Sequence, residues 1–146
     1  MSLDRRATRR YNIASYYAAQ SSERKADGTM FDKSQLMRGT LEGCILKIIS
    51  LTVTYGYEIL EQLKLFGFDE IQEGTIYPLL VRLENKEYIS SELRPSPFGP
   101  NRKYYSLTAE GAGYLQTFET YWNRLLVSAG KILSLEAVEN ESDKKA

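Results

Sequence analysis

The chain has 146 residues, 42% of them hydrophobic, and a formal net charge of zero. This length predicts one compact domain with extensions, and the apolar content suffices for a core. Histidine is absent and Cys44 is the only cysteine, which excludes an internal disulfide, a Cys-based zinc site and the Ser-His and Cys-His nucleophile pairs. We therefore expect no enzyme, no metal site and no cofactor.

No segment approaches the roughly 18 consecutive apolar residues of a membrane span. The basic start of the chain lacks the apolar stretch of a secretory signal, so we expect a cytoplasmic protein with no membrane contact. The segment from Leu93 to Ala109 contains three cations, Arg94, Arg102 and Lys103, and no acid. Such a basic stretch on a neutral chain is typical of a phosphate-contacting loop, although a solvated turn would have the same composition.

Residues 1–32 are polar and interleave arginines with tyrosines, without a clean helical stripe. A DNA-grasping arm, an added helix and a cloning or gene-start artefact are all compatible with this pattern. We expect a poorly ordered or loosely docked extension.

Residues 33–107 contain three predicted short helices. The first begins near Ser34, with Asp32 or Ser34 as its cap, and one face carries Leu41, Cys44, Ile45 and Ile48. We interpret Cys44 as a small buried apolar residue and not as a reactive thiol. After a break at residues 52–56, a second helix carries Ile59, Leu60, Leu63 and Phe66 and ends at Gly67.

The third predicted helix starts near residues 72–75 and buries a stripe of Ile76, Leu79, Leu80 and Leu83. Its opposite side presents Thr75, Pro78 and Arg82, with Tyr77 at the border. A hydroxyl, a phenol and an arginine on one exposed side suit a DNA major groove, and an ordinary surface face is the alternative. Periodicity alone predicts that the helix ends or bends at Pro78.

A β-hairpin follows. Residues 88–93 and 103–107 read as strands, and residues 94–102, with three prolines and a glycine, read as the loop between them. Two strands around a basic tip predict a wing.

Thr108 caps a long last helix over residues 108–135, before a polar tail at 136–146. A seam at alternating spacings of three and four contains Leu115, Phe118, Trp122, Leu125, Ala129 and Ile132. We predict a homodimer in which a second copy of this helix covers the seam. Packing against the first helix of the same chain is the alternative, and both arrangements can hold at once.

These elements describe a mainly α protein with a small β-wing: a winged helix-turn-helix followed by a dimerisation helix. The chain resembles the PadR family of bacterial transcriptional regulators over about residues 34–133. Four stretches carry the resemblance, with the third and fourth specific in combination: RGTLE at 38–42, YGYEI at 55–59, GTIYPLLVRLE at 74–84 and GPNRKYYSLT at 99–108.

The resemblance implies a homodimer whose third helices enter successive major grooves, and a third helix that continues through Pro78. It places Thr75 and Tyr77 at the DNA, with Arg82 nearer the edge. Gly99, Arg102 and Lys103 would carry the wing contacts, and Tyr55 and Tyr57 would reach phosphate. The full predicted DNA-binding set is Tyr55, Tyr57, Gln72, Thr75, Tyr77, Arg82, Gly99, Arg102, Lys103 and Tyr105.

The chain departs from the family pattern at the start of the third helix. The family often has Ser or Thr where Gln72 stands and Pro where Glu73 stands, so the cap is weaker and an acid faces the DNA. Some family members bind planar aromatic or multidrug-like compounds near the dimer interface. By that resemblance, Phe118 and Trp122 are candidate effector-binding residues, although packing of the dimer seam explains them equally well.

We therefore predict a sequence-specific DNA-binding regulator, a repressor of a pseudo-palindromic operator on double-stranded DNA that a planar aromatic, phenolic or multidrug-like effector releases. A winged-helix protein-interaction module without specific DNA binding is the main alternative. DNA binding without an effector and a small enzyme are the others.

Overall fold

The computed structural model describes residues 33–137. Predictions for residues 1–32 and for most of the polar tail therefore lie outside the described residues. In chain order the elements are α1 (Lys33–Met37), α2 (Leu41–Leu51), β1 (Thr54–Tyr55), α3 (Gly56–Leu65), α4 (Glu73–Asn85), β2 (Ile89–Ser96), β3 (Gly99–Leu107) and α5 (Ala109–Leu133). This is the predicted winged helix-turn-helix followed by a long helix. None of the helices in this part of the chain is long and apolar enough to cross a membrane.

The core lies where α2, α3, α4, the sheet and the start of α5 meet. The predicted apolar faces supply most of it, because their spacing of three and four places them on one side of each helix. Its buried hydrophobic residues are Leu41, Ile45, Leu46, Ile49, Ile59, Leu60, Leu63, Ile71, Ile76, Leu80, Leu83, Ile89, Tyr105 and Leu115. Phe66, predicted to share the apolar face of α3, is instead exposed at the end of that helix.

The predicted first helix is two helices. The chain turns at residues 38–40, where Gly39 and two hydrogen-bonded turns separate α1 from α2. Ser34 lies inside α1 and is not a cap, and Thr40 precedes α2 without a side-chain capping bond. Cys44 packs half-buried against the core, and burial raises the pKa of its thiol, as expected for a structural cysteine.

The helices α3 and α4 end in the same backbone motif. After α3, Gly67 takes the left-handed conformation with φ 108°, and the Phe68 N–H reaches back to the Leu63 carbonyl at 3.0 Å. The prediction that Gly67 ends this helix is therefore confirmed. After α4, Glu87 takes the same place with φ 61°, a conformation that costs free energy for a residue with a Cβ.

The helix α4 continues through Pro78 to Asn85, so the end or bend that periodicity predicted there is wrong. Pro78 lies in the second turn on the exposed side, and the donor that it lacks would have bonded the carbonyl of Gly74. Gly74 is itself exposed, so water can satisfy that carbonyl.

The sheet has three antiparallel strands in the order β1-β3-β2. The strands β2 and β3 form the wing, and the turn between them is only two residues long, Pro97 and Phe98. The predicted loop over 94–102 is therefore too long. The wing accommodates Pro95 at an irregularity in the register between Arg94 and Ser96, where no regular ladder bond is needed. The short strand β1 escapes sequence analysis, because two residues are too few for a period to show.

Glu84 joins α4 to both strands of the wing. Its carboxylate accepts hydrogen bonds from the Ser91 hydroxyl of β2 and, at 3.1 Å, from the Lys103 ammonium of β3. The hydrogen bond from Ser91, followed by the nearby Lys103, holds the pKa of Glu84 below its ordinary value. The wing is therefore fixed to the C-terminal half of α4 by a charged junction.

Thr108 and Gly111 dock the start of α5 on the turn after α4. The Thr108 hydroxyl accepts from the Gly111 N–H at 3.0 Å, which confirms the predicted cap, and donates to the Glu87 carbonyl at 2.6 Å. The Thr108 N–H bonds the Tyr88 carbonyl at 3.1 Å. Gly111 lies so close to that carbonyl that a Cβ would overlap it.

Within residues 33–137, the part of α5 that packs on the rest of the domain is its first half. Leu115 is 7% exposed in the core, so this part of the seam packs within its own chain, the alternative considered for it. Phe118 packs directly against Gly43 of α2, where a Cβ would overlap its ring. Beyond Trp122 most of the helix is exposed, including the predicted seam residues Leu125 and Ile132, while Ala129 is half-buried.

Replacing Gly111 by alanine is expected to destabilise the fold. The new methyl group would overlap the Tyr88 carbonyl and meet Leu107, and overpacking of this kind costs about 1–3 kcal/mol. Gly113 is the matched control: it lies two residues further along α5, where a Cβ would have no neighbouring atom within 4 Å. Gly113→Ala should add about 1 kcal/mol of stability through helix propensity. Urea unfolding of both variants measures the difference, and equal effects would contradict the close contact.

Candidate nucleic-acid interface

The exposed side of α4 is the first part of the candidate interface. Thr75 lies on it, as the periodicity predicts, and Tyr77, predicted at its border, is 44% exposed. Gln72 stands at the N-cap without a side-chain capping bond, and Glu73 opens the first turn. The helix thus begins with free backbone N–H groups and an acid, and its exposed hydrogen-bonding side chains follow within two turns.

Gly56 determines where the Tyr77 ring lies. A Cβ on Gly56 would sit 2.8 Å from Tyr77 Cε1 and 3.2 Å from its hydroxyl oxygen, so the ring lies directly on the glycine. Because Gly56 is the first residue of α3, the contact joins the start of one helix to the exposed side of the next. The glycine of the YGY stretch is therefore needed for a close approach, which the sequence did not reveal.

The outer face of the wing carries Tyr55, Arg94, Arg102 and Tyr104. The Arg102 guanidinium lies over the Tyr55 ring at 4.7 Å, and the Arg94 guanidinium lies over the Tyr104 ring at 4.8 Å. The two rings contact each other, with centroids 5.3 Å apart. Stacking on aromatic faces orients the two guanidinium groups. The Arg94 guanidinium also lies 3.6 Å from the carboxylate of Glu92, an exposed residue of the same strand. The three strands thus present two arginines that are stacked on the contacting rings of Tyr55 and Tyr104.

The inner face of the wing packs on the domain instead. Lys103 donates to Glu84, which raises the pKa of the lysine, and its neighbour Tyr105 is 4% exposed in the core. Burial also raises the pKa of the Tyr105 phenol. The structure therefore contradicts the prediction of Tyr105 as a DNA contact, because a side chain enclosed in the core cannot reach DNA. Lys103 keeps a partly exposed ammonium, but Glu84 already balances its charge.

Three further predicted residues have clear positions. Arg82 forms an ion pair with Glu42 of α2, so its charge is balanced within the chain. Tyr57 is half exposed in the first turn of α3 and is free to approach a phosphate. Gly99 is exposed at the start of β3, directly after the wing turn.

Sequence reasoning noted Arg94 in the basic stretch without including it in the predicted DNA-binding set, and it did not identify Tyr104, Gly56 or Glu84 as parts of this surface. A signal for Tyr104 was present, since successive residues of a strand point to opposite faces. Arg102 and Tyr104 must therefore share one face, and Lys103 and Tyr105 the other. The contribution of Arg94 depends on its pairing with Arg102 in the register, which follows only once the turn is known.

Comparison with known proteins agrees with this architecture. The model of the transcriptional regulator PadR-like family matches residues 45–117, half of the chain. A Streptococcus transcriptional regulator of known structure is 45% identical, with a TM-score of 0.63, over 68% of this chain and 98% of its own. A PadR-like transcriptional regulator from Bacillus cereus is 42% identical, with a TM-score of 0.65, over 70% of this chain and 100% of its own.

The similarity extends to an uncharacterized protein of Lysinibacillus sphaericus, which is 35% identical over 92 residues, 62% of this chain and 84% of that one. The matched region contains α3, α4, the wing and the start of α5. With this fold, this surface and these relatives, the chain belongs to the PadR-like family of DNA-binding transcriptional regulators.

Proposed function

We propose that the protein is a homodimeric repressor that binds a pseudo-palindromic operator in the cytoplasm and is released from it by a planar aromatic effector. The observation that carries the proposal is the continuity of one surface. Tyr77 of α4 lies on Gly56, the neighbouring Tyr55 lies under Arg102, and Tyr104 leads on to Arg94. The helix that would read bases and the strands that would hold phosphate are thus in contact.

The two parts of this surface suit different tasks. Arg102 and Arg94, the latter in an exposed ion pair with Glu92, are oriented cations on the wing, and cations that neutralise phosphates give affinity that falls with salt. Thr75 and Tyr77 carry hydroxyl groups on an exposed helix side, which suits hydrogen bonds to base edges in a major groove. We assign affinity mainly to the wing and specificity mainly to α4.

The exposed half of α5 supports the homodimer. Its large hydrophobic side chains are each more than half exposed in the single chain: Leu125, Leu126, Val127, Ile132 and Leu133. Such an apolar stretch on one helix is typical of a protein–protein interface. A second copy of α5 would cover it, and twofold symmetry would then place two copies of α4 about one helical turn of DNA apart or a multiple of it.

The effector is proposed from one pair of rings. Phe118 and Trp122 lie nearly parallel, with an interplanar angle of 10° and centroids 6.3 Å apart, at the point where α5 leaves the core. A flat aromatic compound can stack on a half-buried indole there. It would release DNA only by binding one spacing of the two reading helices better than the other.

The proposal is tested first by fluorescence anisotropy of the full chain with duplex DNA from upstream of its own gene and with a scrambled duplex. Tight, salt-dependent preference for the upstream duplex is expected, and sedimentation should show a dimer. If the protein prefers neither the upstream duplex nor any duplex selected from a random pool, the protein-interaction module would be favoured. Planar aromatic compounds should quench the fluorescence of Trp122 and release the DNA. Quenching without release would contradict only the effector part of the proposal.

Replacing Tyr77 by alanine should lower specific binding far more than binding to the scrambled duplex. A good base contact is worth about 1–3 kcal/mol, so a loss of roughly 5- to 150-fold is expected for the preferred duplex. Tyr121→Ala is the control, because Tyr121 is another exposed tyrosine but lies on α5. Equal losses on both duplexes would show that Tyr77 does not read bases.

Replacing Arg102 by alanine should weaken binding to all duplexes alike. One lost phosphate contact should lower the slope of log affinity against log salt by about one. Arg124→Ala removes an arginine that likewise lies over a tyrosine ring, that of Tyr121 on α5, and should leave the slope unchanged. An unchanged slope in the Arg102 variant would remove the wing from the phosphate contacts.

A further inference from the structure

Phe98 stands at the apex of the wing and is 96% exposed. A phenylalanine that remains in water contributes almost nothing to folding, since apolar groups stabilise a fold only when they are buried. A fully exposed phenylalanine at the end of a projecting hairpin is therefore a candidate for burial against a partner. Phe98 does not belong to the predicted DNA-binding set.

The chain holds Phe98 in a short, stiff turn. The turn consists of Pro97 and Phe98 alone, with Ser96 and Gly99 paired across its base. Pro97 fixes its own φ, and Pro95 and Pro100 restrict the two strands on either side. A side chain presented by a rigid turn loses less conformational entropy when it binds.

Two cations flank the apex symmetrically. Arg94 lies four residues before Phe98 and Arg102 four residues after it, and the two are direct partners in the register. Four strand residues span about 13 Å, so the arginines stand well behind the tip. No acid lies between Leu93 and Ala109, so the apex itself would not repel a negatively charged partner. The nearest acid, Glu92, pairs with Arg94 at 3.6 Å in an exposed ion pair, which a phosphate can replace at little cost.

We propose that Phe98 is an apolar wedge that inserts between base pairs from the minor groove of the operator, while Arg94 and Arg102 hold the phosphates at its rims. The inference rests on the proposed function, because it needs DNA bound at the wing. It adds a deformation of the DNA to the contacts made by α4.

The dimensions of DNA favour insertion of the tip side chain and not of the strands. A minor groove is about 6 Å wide, whereas a two-stranded ribbon needs the wider major groove. A single ring at the apex of the wing can enter where the strands cannot. Phenylalanine is among the residues that unstack a base step in this way, and the resulting bend brings more DNA against the protein.

The test uses the full-length protein and a duplex that it selects from a random pool. In a series of duplexes, 2-aminopurine replaces single adenines outward from the selected half-sites, and its fluorescence rises when a neighbouring step unstacks. Wild-type protein should raise the fluorescence at one position per half-site. Phe98→Ala should abolish that rise, reduce bending measured by energy transfer between the duplex ends, and weaken binding by roughly tenfold.

Phe66→Ala is the matched control, because Phe66 is also exposed but lies at the far end of α3 from the candidate interface. It should leave the fluorescence, the bend and the affinity unchanged, and Phe98→Leu should retain most of each. The slope against salt should be the same in all four proteins, since no charge is lost.

The outcomes separate the two proposals. If the wild-type protein selects no duplex, the proposed function fails. If it selects one but Phe98→Ala unstacks and bends it as well as the wild type, only the wedge is overturned. A loss of affinity without any unstacking in the wild type also overturns the wedge, since the ring would then bind the DNA surface without entering a step.

Discussion

The architecture depends on the contact between the start of α5 and the turn after α4. The Thr108 hydroxyl bonds both the Gly111 N–H and the Glu87 carbonyl, and Gly111 admits the Tyr88 carbonyl where no other residue would. The turn after α4 contains Glu87, whose left-handed backbone conformation is strained, and these contacts with α5 fix the end of the turn at Tyr88. These contacts connect α5, the proposed dimerisation helix, to the end of α4, the proposed reading helix.

The wing shows how one strand serves two purposes. Lys103 and Arg102 are adjacent cations, yet the pleat of β3 sends them to opposite faces. Lys103 meets Glu84 and anchors the wing to α4, whereas Arg102 lies over the ring of Tyr55 on the outer face. Composition alone treats these residues as equivalent. Their surroundings make one a structural residue and the other a candidate for phosphate binding.

The seam of α5 is divided in a similar way. A single periodic stripe begins in the core at Leu115, passes Phe118 against Gly43, and continues into solvent at Leu125 and Ile132. The stripe is uniform in sequence, but α2 is too short to cover more than the first half of it. The ion pair of Lys47 in α2 with Glu119 in α5, at 2.9 Å, lies near the limit of the packing between these helices. The remaining half presents the apolar area that supports a dimer.

Local patterns in the sequence are enough to specify the class of fold, the helical faces that form the core, the cap at Thr108, the end of α3 at Gly67 and the family. All of these depend on the order and spacing of nearby residues, which a helical or strand period makes visible. Other features emerge only from the folded chain: the break of the first helix at Gly39, the addition of β1 to the sheet, the burial of Tyr105, and the positioning of the wing and Tyr77 by Glu84, Tyr55 and Gly56. These features depend on contacts between residues that are distant in the chain or on strands too short to show a period, and no local pattern specifies such partners.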